Sequence, residues 1–387
     1  MKKIAFLCLA LLLIGCQATA PDEPVSAGPI LPENYDPHVG TSDLMTAMNM
    51  IVLRRADKLE QLLVAKRFYW YTGFSHIESH PLLSHLAVDY GCLACIPVFV
   101  KVGYDLDKRD RYNRTALMYA ALSGKPEFVE ALAPHSDLEV RIEEESKHTS
   151  LHLAVNKNFP SVVKTLIEQG AALEARDANQ WTPLHHAVQM NFLKVVEVLL
   201  EQGADPNALS KNNWTTLHQT GNRINEAKSA AEIVPVAELL LTHGVDIDAR
   251  ADQGITALQL SIWARRDELT ELLMAHGADI HSVDDYGWSA LSYAADQADL
   301  RTAKFLLSAG VDPNPRSDTG WTPLMIVAGE EFKGDEETGL ALAELLIEHG
   351  ASVHSMNNKG KSVADVATAS GKDDIVRLLE AHGARSY

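Results

Sequence analysis

Thr182-Pro183-Leu184-His185 is a tetrapeptide that recurs, intact or altered, about every 33 residues through most of the chain. Its eight copies begin at Thr115, Thr149, Thr182, Thr215, Thr256, Ser289, Thr322 and Ser362, and their spacings by subtraction are 34, 33, 33, 41, 33, 33 and 40. A ninth copy starts at Leu82, where His85-Leu86-Ala87 matches His152-Leu153-Ala154. A period of this length predicts a solenoid of stacked units rather than a globular domain.

Each copy begins a unit with two short helices and a turn. In the unit from Thr182, the first helix is predicted from the spacing of Leu184, Ala187 and Val188. The second helix is predicted from Val195, Val196, Val198, Leu199 and Leu200. Gly203 ends it, because glycine readily adopts the left-handed conformation that caps a helix.

This unit resembles the ankyrin repeat. The shared features are the period, the Thr-Pro-Leu-His start, the Val-Val-Glu-Val-Leu-Leu second helix and the Gly-Ala-Asp-Pro-Asn that follows. The resemblance covers roughly residues 82 to 387 and implies an all-α solenoid of about nine units with hairpin fingers. Ankyrin arrays bind proteins on a concave surface, so it implies a protein partner and neither an enzyme nor a cofactor. We expect a monomer.

The start of the chain has the pattern of a secretory signal peptide. Lys2-Lys3 precede an apolar run, Ile4 to Ile14, that is too short for a permanent membrane span. The run ends in Leu13-Ile14-Gly15-Cys16, which resembles the bacterial lipobox and implies cleavage of residues 1–15 and acylation of Cys16, for example with palmitate. Because Gln17 rather than aspartate follows, the resemblance implies an outer-membrane lipoprotein facing the periplasm. An ordinary cleavable signal is the alternative.

Two further segments precede the repeats. Residues 16–40 contain five prolines and predict an extended tether. Residues 41–81 predict a degenerate N-terminal pair of capping helices, followed by the aromatic segment Phe68-Tyr69-Trp70-Tyr71 with Phe74. That segment either seals the cap or forms a binding patch. The repeat array itself spans 82–387.

The net charge of the chain limits the classes of partner that it is expected to bind. The formal net charge is −18, and loss of Lys2 and Lys3 with the signal peptide brings it to −20, since residues 1–15 carry no other charge. This acidity disfavours binding to nucleic acid. It favours a basic protein partner, unless it serves only solubility.

Cysteines and histidines offer little chemistry. Cys92 and Cys95 would form either a local disulfide or two packed thiols. The ankyrin resemblance implies that one set of histidines bonds the turn backbone, namely His85, His152, His185 and His218. A second set can contact the last carbonyls of a helix, namely His243, His276, His349 and His382. His185 and His186 are adjacent and point in different directions, so no metal site is predicted. No catalytic motif is present either.

Tryptophans are the strongest indication of a site. Trp181, Trp214, Trp288 and Trp321 each precede a unit-starting residue, and Trp263 follows Thr256 by seven. The ankyrin resemblance implies that both positions face the concave side, where tryptophan is a strong interface anchor. The predicted polar rim is Asn179, Gln189, Asn212, Asp252, Asp285, Tyr286 and Asp318. The alternative is that each tryptophan packs against a neighbouring finger.

Two units are longer than the rest. By subtraction from the 33-residue period, the unit from Thr215 has eight extra residues and the unit from Thr322 has seven, both between the two helices. Such insertions are either tolerated decoration or accessory contacts.

Three functions are compatible with the sequence. The first is a lipid-anchored envelope protein that binds a protein, in a narrower form an immunity or inhibitor protein for a toxin or lipase. The second is an envelope scaffold in oxidative-stress defence. The third is an enzyme, which the lack of catalytic motifs disfavours.

Overall fold

The computed structural model describes residues 42–65, 82–142, 146–221 and 230–384. Within these ranges the chain forms successive helix pairs and no sheet, apart from two isolated β-bridges, Val283–Ser289 and Met356–Ser362. The predicted all-α repeat solenoid is thereby confirmed as the fold class. The signal peptide with Cys16, the tether and the aromatic segment 68–74 lie outside the described residues.

Ten helix pairs are present in the described ranges. They are α1 Ser42–Val52 with α2 Ala56–Ala65, α3 Leu83–Asp89 with α4 Cys95–Lys101, α5 Ala116–Leu122 with α6 Pro126–Leu132, α7 Ser150–Asn156 with α8 Pro160–Glu168, α9 Pro183–Gln189 with α10 Leu193–Glu201, α11 Thr216–Thr220 with α12 Ala230–Thr242, α13 Ala257–Trp263 with α14 Asp267–Ala275, α15 Ala290–Asp296 with α16 Leu300–Ser308, α17 Pro323–Ala328 with α18 Glu336–Glu348, and α19 Val363–Ala369 with α20 Asp373–Ala381.

The chain divides into two compact units. The first ends at His186 and also includes Glu201–Ala204, while the second comprises Ala187–Leu200 and continues from Asp205. In the first unit, α3 packs between α1 and α5, and α5 packs on α7. In the second unit, α13 packs between α11 and α15, and α17 packs between α15 and α19. Each unit is therefore built by stacking like helices of successive pairs.

The repeat motif supplies the signals that start and stop these helices. Thr256 caps α13, since its side-chain oxygen accepts the amide of Gln259 at 3.3 Å. At the end of α14, Gly277 has a φ of +84°, and the next amide, of Ala278, bonds back to the carbonyl of Leu273 at 3.1 Å. A side chain would be strained at that φ, which explains the glycine that follows every second helix from α8 onward.

The helix pair of the unit from Thr182 buries nearly all of the side chains that its periodicity predicts to be buried. Leu184, Ala187 and Val188 are buried on α9, and Val195, Val196, Leu199 and Leu200 are buried on α10. Val198 departs from the prediction, because it is only partly buried. It continues an apolar run, but the helical turn places it beside the buried stripe rather than on it.

Cys92 and Cys95 are joined by a disulfide at the start of α4. Their Cα atoms lie 5.3 Å apart, within the usual range for a disulfide, and both side chains are buried. Of the two alternatives left by the sequence, the structure contains the bridge. Cys95 also lies in the core, thirteen residues after its unit start at Leu82, just as the buried Val195 lies thirteen residues after Thr182.

Repeat histidines join neighbouring repeats through buried hydrogen bonds. The amide of Thr215 donates to His218 Nδ1 at 3.2 Å, and His218 Nε2 donates to the carbonyl of Ile255 in the next repeat at 3.2 Å. His152 makes the same connection from Thr149 to the carbonyl of Trp181. The second set behaves as predicted too: His243, His276, His349 and His382 each contact the carbonyl four residues earlier.

One repeat makes the same connection without a histidine. Gln259 Oε1 accepts the amide of Thr256 at 3.0 Å, and Gln259 Nε2 donates to the carbonyl of Trp288 at 3.2 Å. A neutral amide thus replaces a neutral imidazole. The histidines must stay uncharged to accept and donate in this way, and burial lowers the pKa of His218 from 6.5 to about 4.

Leu199→Ala tests the stacked core. Leu199 is fully buried, so truncation should lower the free energy of unfolding by about 2–5 kcal/mol. Leu193→Ala is the matched control on the same helix, because Leu193 is 39% exposed and its loss should cost well under about 1 kcal/mol. Denaturant unfolding of both variants measures the difference. Equal losses would contradict the packing described above.

His218→Gln tests the histidine connection. The folded pKa of His218 lies below its unfolded value, so the unfolded chain binds more protons and stability is lost as pH falls below 6.5 towards about 4. Glutamine keeps both hydrogen bonds, as at Gln259, but does not titrate. The free energy of unfolding of the variant, relative to that of wild type, should therefore rise by about 3 kcal/mol between pH 7 and pH 4. Parallel pH profiles of the unfolding midpoint for the two proteins would contradict this account.

Candidate protein-binding surface

Each finger that carries a tryptophan is a tight turn closed by one polar side chain. In the finger before Ser289, Asp284 Oδ1 accepts the amides of Tyr286 at 2.9 Å and Trp288 at 2.8 Å. The amide of Asp284 in turn donates to the carbonyl of Trp288 at 2.9 Å. Trp288 is thus held by its backbone on both sides, whatever its side chain contacts.

The other fingers with tryptophan share this geometry. Trp214 and Trp321 donate their amides to Ser210 Oγ and Ser317 Oγ, at 3.2 and 3.0 Å. Trp181, in the first unit, donates to Asp177 Oδ1 at 2.8 Å. In the second unit, Trp214, Trp288 and Trp321 therefore occupy one position in three repeats.

Successive fingers of the second unit are linked edge to edge by backbone hydrogen bonds. The amides of Asp252, Asp285 and Asp318 donate to carbonyls of the preceding finger, in Asn212, Gln253 and Tyr286, at 3.1, 2.9 and 2.8 Å. The amide of Asn358 donates in the same way to Thr319 at 3.0 Å. These bonds fix the fingers in one register.

The tryptophan rings are neither fully buried nor fully exposed. All five are partly buried, and three of them pack on rings of their own repeat: Trp288 lies 5.3 Å from the Tyr293 ring and Trp214 lies 6.2 Å from the His218 ring. Trp181 lies 5.2 Å from His186. Trp263 is the last residue of α13. Trp181, Trp214 and Trp288 thus combine internal packing with a partly exposed surface.

The polar set differs in its exposure. Asp252, Asp285 and Asp318 are exposed and stand one repeat apart at the finger tips. Asn213 bonds the Asp252 carboxylate at 2.7 Å, and Arg250 pairs with Asp285 at 3.0 Å. Asn179, Asn212 and Tyr286 are partly buried and bond through their backbones. Gln189 is only 6% exposed at the end of α9, so it offers the least surface of the set.

One cluster was missed by sequence reasoning. His148, Asp177 and His186, all in the first unit, bring two imidazoles and one carboxylate together. His186 Nε2 lies 3.1 Å and His148 Nε2 lies 3.9 Å from Asp177 Oδ2. The sequence draws attention to His185 and His186 because they are adjacent, whereas these three residues come together from two successive repeats. The Asp-to-His spacing of nine, matched by Asp284 and Tyr293, was the available signal.

Burial governs the charge of this cluster. Burial, followed by repulsion from His186, lowers the pKa of His148 to about 4, so its imidazole is neutral at pH 7. Burial opposes ionisation of Asp177, but the hydrogen bonds from His186 and from backbone amides outweigh it and lower its pKa. The cluster therefore presents a carboxylate beside a neutral ring.

The second insertion has a defined conformation. Lys372 lies over the Phe332 ring, with 4.4 Å from Nζ to the ring centre, and Lys333 pairs with Asp296. Asp335 then caps α18, which at 13 residues is longer than most of the helices. The first insertion lies mostly in residues 222–229, outside the described residues.

These features define a class of protein, the helical repeat scaffold, whose fingers and first helices recur in register. Sequence comparison matches "Ankyrin repeats (3 copies)" to residues 84–177, 138–210, 227–317 and 291–386. The chain belongs to the ankyrin-repeat family, whose members are scaffolds for protein–protein interaction and typically not enzymes. No curated protein matches it. Among the described residues, no helix is both long and apolar enough to cross a membrane.

Proposed function

We propose that this chain is a lipid-anchored cell-envelope protein that binds another protein through the fingers and first helices of its repeats. The observation that carries the binding site is the repetition of one tryptophan position in the second unit. Trp214, Trp288 and Trp321 stand on fingers that are closed by their own hydrogen bonds. Aromatic side chains held in this way are typical anchors of protein interfaces.

Rigidity supports this proposal. The fingers are linked by backbone bonds from Asp252, Asp285 and Asp318. A partner would meet a surface that is already ordered, and little conformational entropy would be lost on binding. The rings already packed on Tyr293 and His218 have lost rotamer freedom in the same way.

Charge at the finger tips favours a basic partner. Asp252, Asp285 and Asp318 are exposed at equivalent positions in three successive fingers. The net charge of the whole chain is −18. Lysine or arginine side chains on a partner would meet one carboxylate per repeat, which would favour association and set its register.

The envelope location rests on the sequence pattern before residue 17. The apolar run that ends at Cys16 supports acylation there, and Gln17 supports sorting to the outer membrane on the periplasmic side. Two narrower roles use the same surface. A captured toxin or lipase would support an immunity or inhibitor role, and a captured peroxide-removing enzyme would support an envelope scaffold in oxidative-stress defence.

The experiment that tests the binding site combines capture with substitution. Crosslinking in cells followed by pull-down identifies the partner, whose affinity is then measured for purified variants. Trp288→Ala should weaken binding by roughly 2 kcal/mol or more, because it removes an anchor whose backbone position is fixed independently. The melting temperature of the same variant, measured in parallel, reports whether the repeat remains folded.

Phe305→Ala is the matched control. Phe305 belongs to the same repeat and is 49% exposed, but it lies on the second helix, α16, away from the finger. Its loss should leave the affinity unchanged. If Trp288→Ala binds as well as Phe305→Ala, the tryptophan face is not the recognition site, and the insertion around Lys333 becomes the next candidate.

Cys16→Ser tests the anchor. Serine has no thiol to acylate, so the variant should lose lipid attachment and its processing before residue 16. Detergent-phase partitioning and N-terminal sequencing of the wild-type and variant chains measure both effects. Wild-type protein that partitions wholly into the aqueous phase and starts at another residue would rule out the lipoprotein assignment.

A further inference from the structure

The cluster of His148, Asp177 and His186 combines ligands from two successive repeats. His148 precedes Thr149, which caps α7, while Asp177 opens the next finger and His186 lies on α9 of that next repeat. Among the described residues, this is the one group of three or more histidine, cysteine or acidic side chains placed to share an ion, with its ligand atoms within 4.8 Å of one another.

We propose that these three side chains bind one divalent transition-metal ion, for which zinc is the best fit, and that the ion joins the two repeats. Two imidazole nitrogens and one carboxylate oxygen are ligands that zinc commonly takes. Tetrahedral bonds of about 2.0–2.1 Å place neighbouring ligand atoms about 3.3 Å apart. The observed 3.1 and 3.9 Å from Asp177 Oδ2 lie on either side of that value.

The carboxylate is oriented for this role by its own finger. Asp177 Oδ1 accepts the amides of Asn179 at 2.7 Å and Trp181 at 2.8 Å, which leaves Oδ2 directed at the two imidazoles. Such outer hydrogen bonds hold a ligand in place and strengthen metal sites. Asp177 is 3% exposed, whereas His148 and His186 are 18% and 12% exposed. Water can therefore supply the fourth ligand.

Neighbouring rings fix the imidazoles. His148 is stacked on His152 at 5.5 Å with 10° between the rings, and His186 packs edge-on against Trp181. His152 is not a ligand, because its two nitrogens already face Thr149 Oγ1 and the carbonyl of Trp181. It forms a wall of the site.

The finger itself does not require two histidines. In another repeat, the equivalent carboxylate of Asp284 is held by one phenol, since Tyr293 Oη donates to Asp284 Oδ2 at 2.7 Å. His186 alone could do the same for Asp177. His148 is an additional nitrogen donor at the position where other fingers carry tryptophan. In the metal-free form a proton on His186 Nε2 makes the hydrogen bond to Asp177. When the ion binds, a neutral imidazole moves this proton to Nδ1, whereas an imidazolium, which already has a proton on Nδ1, releases it to solvent.

Substitutions copied from other repeats test the site without breaking the fold. The full chain is stripped with a chelator, dialysed and titrated with Zn²⁺ by calorimetry. Wild type should bind one Zn²⁺ at this site, and His186→Tyr and His148→Trp should each weaken that binding by about 100-fold or more. Tyrosine is the residue at 293, and tryptophan is the residue at 181 and 214, so both variants should fold.

His276→Ala is the matched control, because His276 is an exposed histidine of the second unit that contacts only the end of its own helix. It should bind Zn²⁺ as wild type does. Saturating Zn²⁺ should raise the melting temperature of wild type and of the control but not of the two site variants. Co²⁺ in place of Zn²⁺ should give the strong visible absorption of a four-coordinate site.

Two results would overturn the proposal. One is equal Zn²⁺ affinity in wild type and His186→Tyr. The other is a loss of affinity in His186→Tyr with none in His148→Trp, which would leave only a pairwise contact of Asp177 with His186. Neither result bears on the tryptophan surface, whose test uses a protein partner.

Discussion

The constraint on which the rest of this structure depends is that one helix pair cannot bury its own apolar face. Helix α13 is covered only because α11 and α15 pack on either side of it, and the same holds for α17 between α15 and α19. Burial at about 25 cal/mol per Å² of apolar surface then acts between neighbours rather than around a centre. A polar side chain is compatible with this stacking when it lies in a finger or a turn, or when it finds a hydrogen-bond partner inside the stack.

Where the repeat motif brings polar groups into the stack, it pairs them with each other and with the backbone. Thr215 with His218, and Thr256 with Gln259, connect a helix start to the carbonyl of the following finger. An unpaired group in the same place would cost the full penalty of its desolvation. The threonine and histidine of the repeat motif are thus a joint between repeats, and their periodic recurrence follows from the periodic recurrence of the joint.

The sequence was sufficient for the fold because the information repeats. A single unit shows the helix faces, the cap and the terminal glycine. The other units repeat these features at a regular spacing, so each unit supports the assignment of the next. Surface chemistry was less accessible. The inward orientation of Gln189 and the partial burial of Val198 depend on small rotations along a helix. The meeting of His148 with Asp177 and His186 depends on how one finger lies against the next repeat. A pairing across 29 residues leaves no local pattern, whereas the close spacing of Cys92 and Cys95 allows a bridge without requiring one.

The finger bonds of the second unit have an evolutionary consequence. Asp285 bonds to Gln253, 32 residues earlier, while Asp252 reaches back 40 residues to Asn212 and Asn358 reaches back 39 to Thr319. The same contact forms where seven or eight extra residues separate the two fingers. The extra residues lie between the two helices of a repeat and away from the fingers. The length of a repeat and the bonds between its fingers can therefore change independently in this chain. Insertions can accumulate and be tested by selection on one edge while the spacing of the fingers stays unchanged.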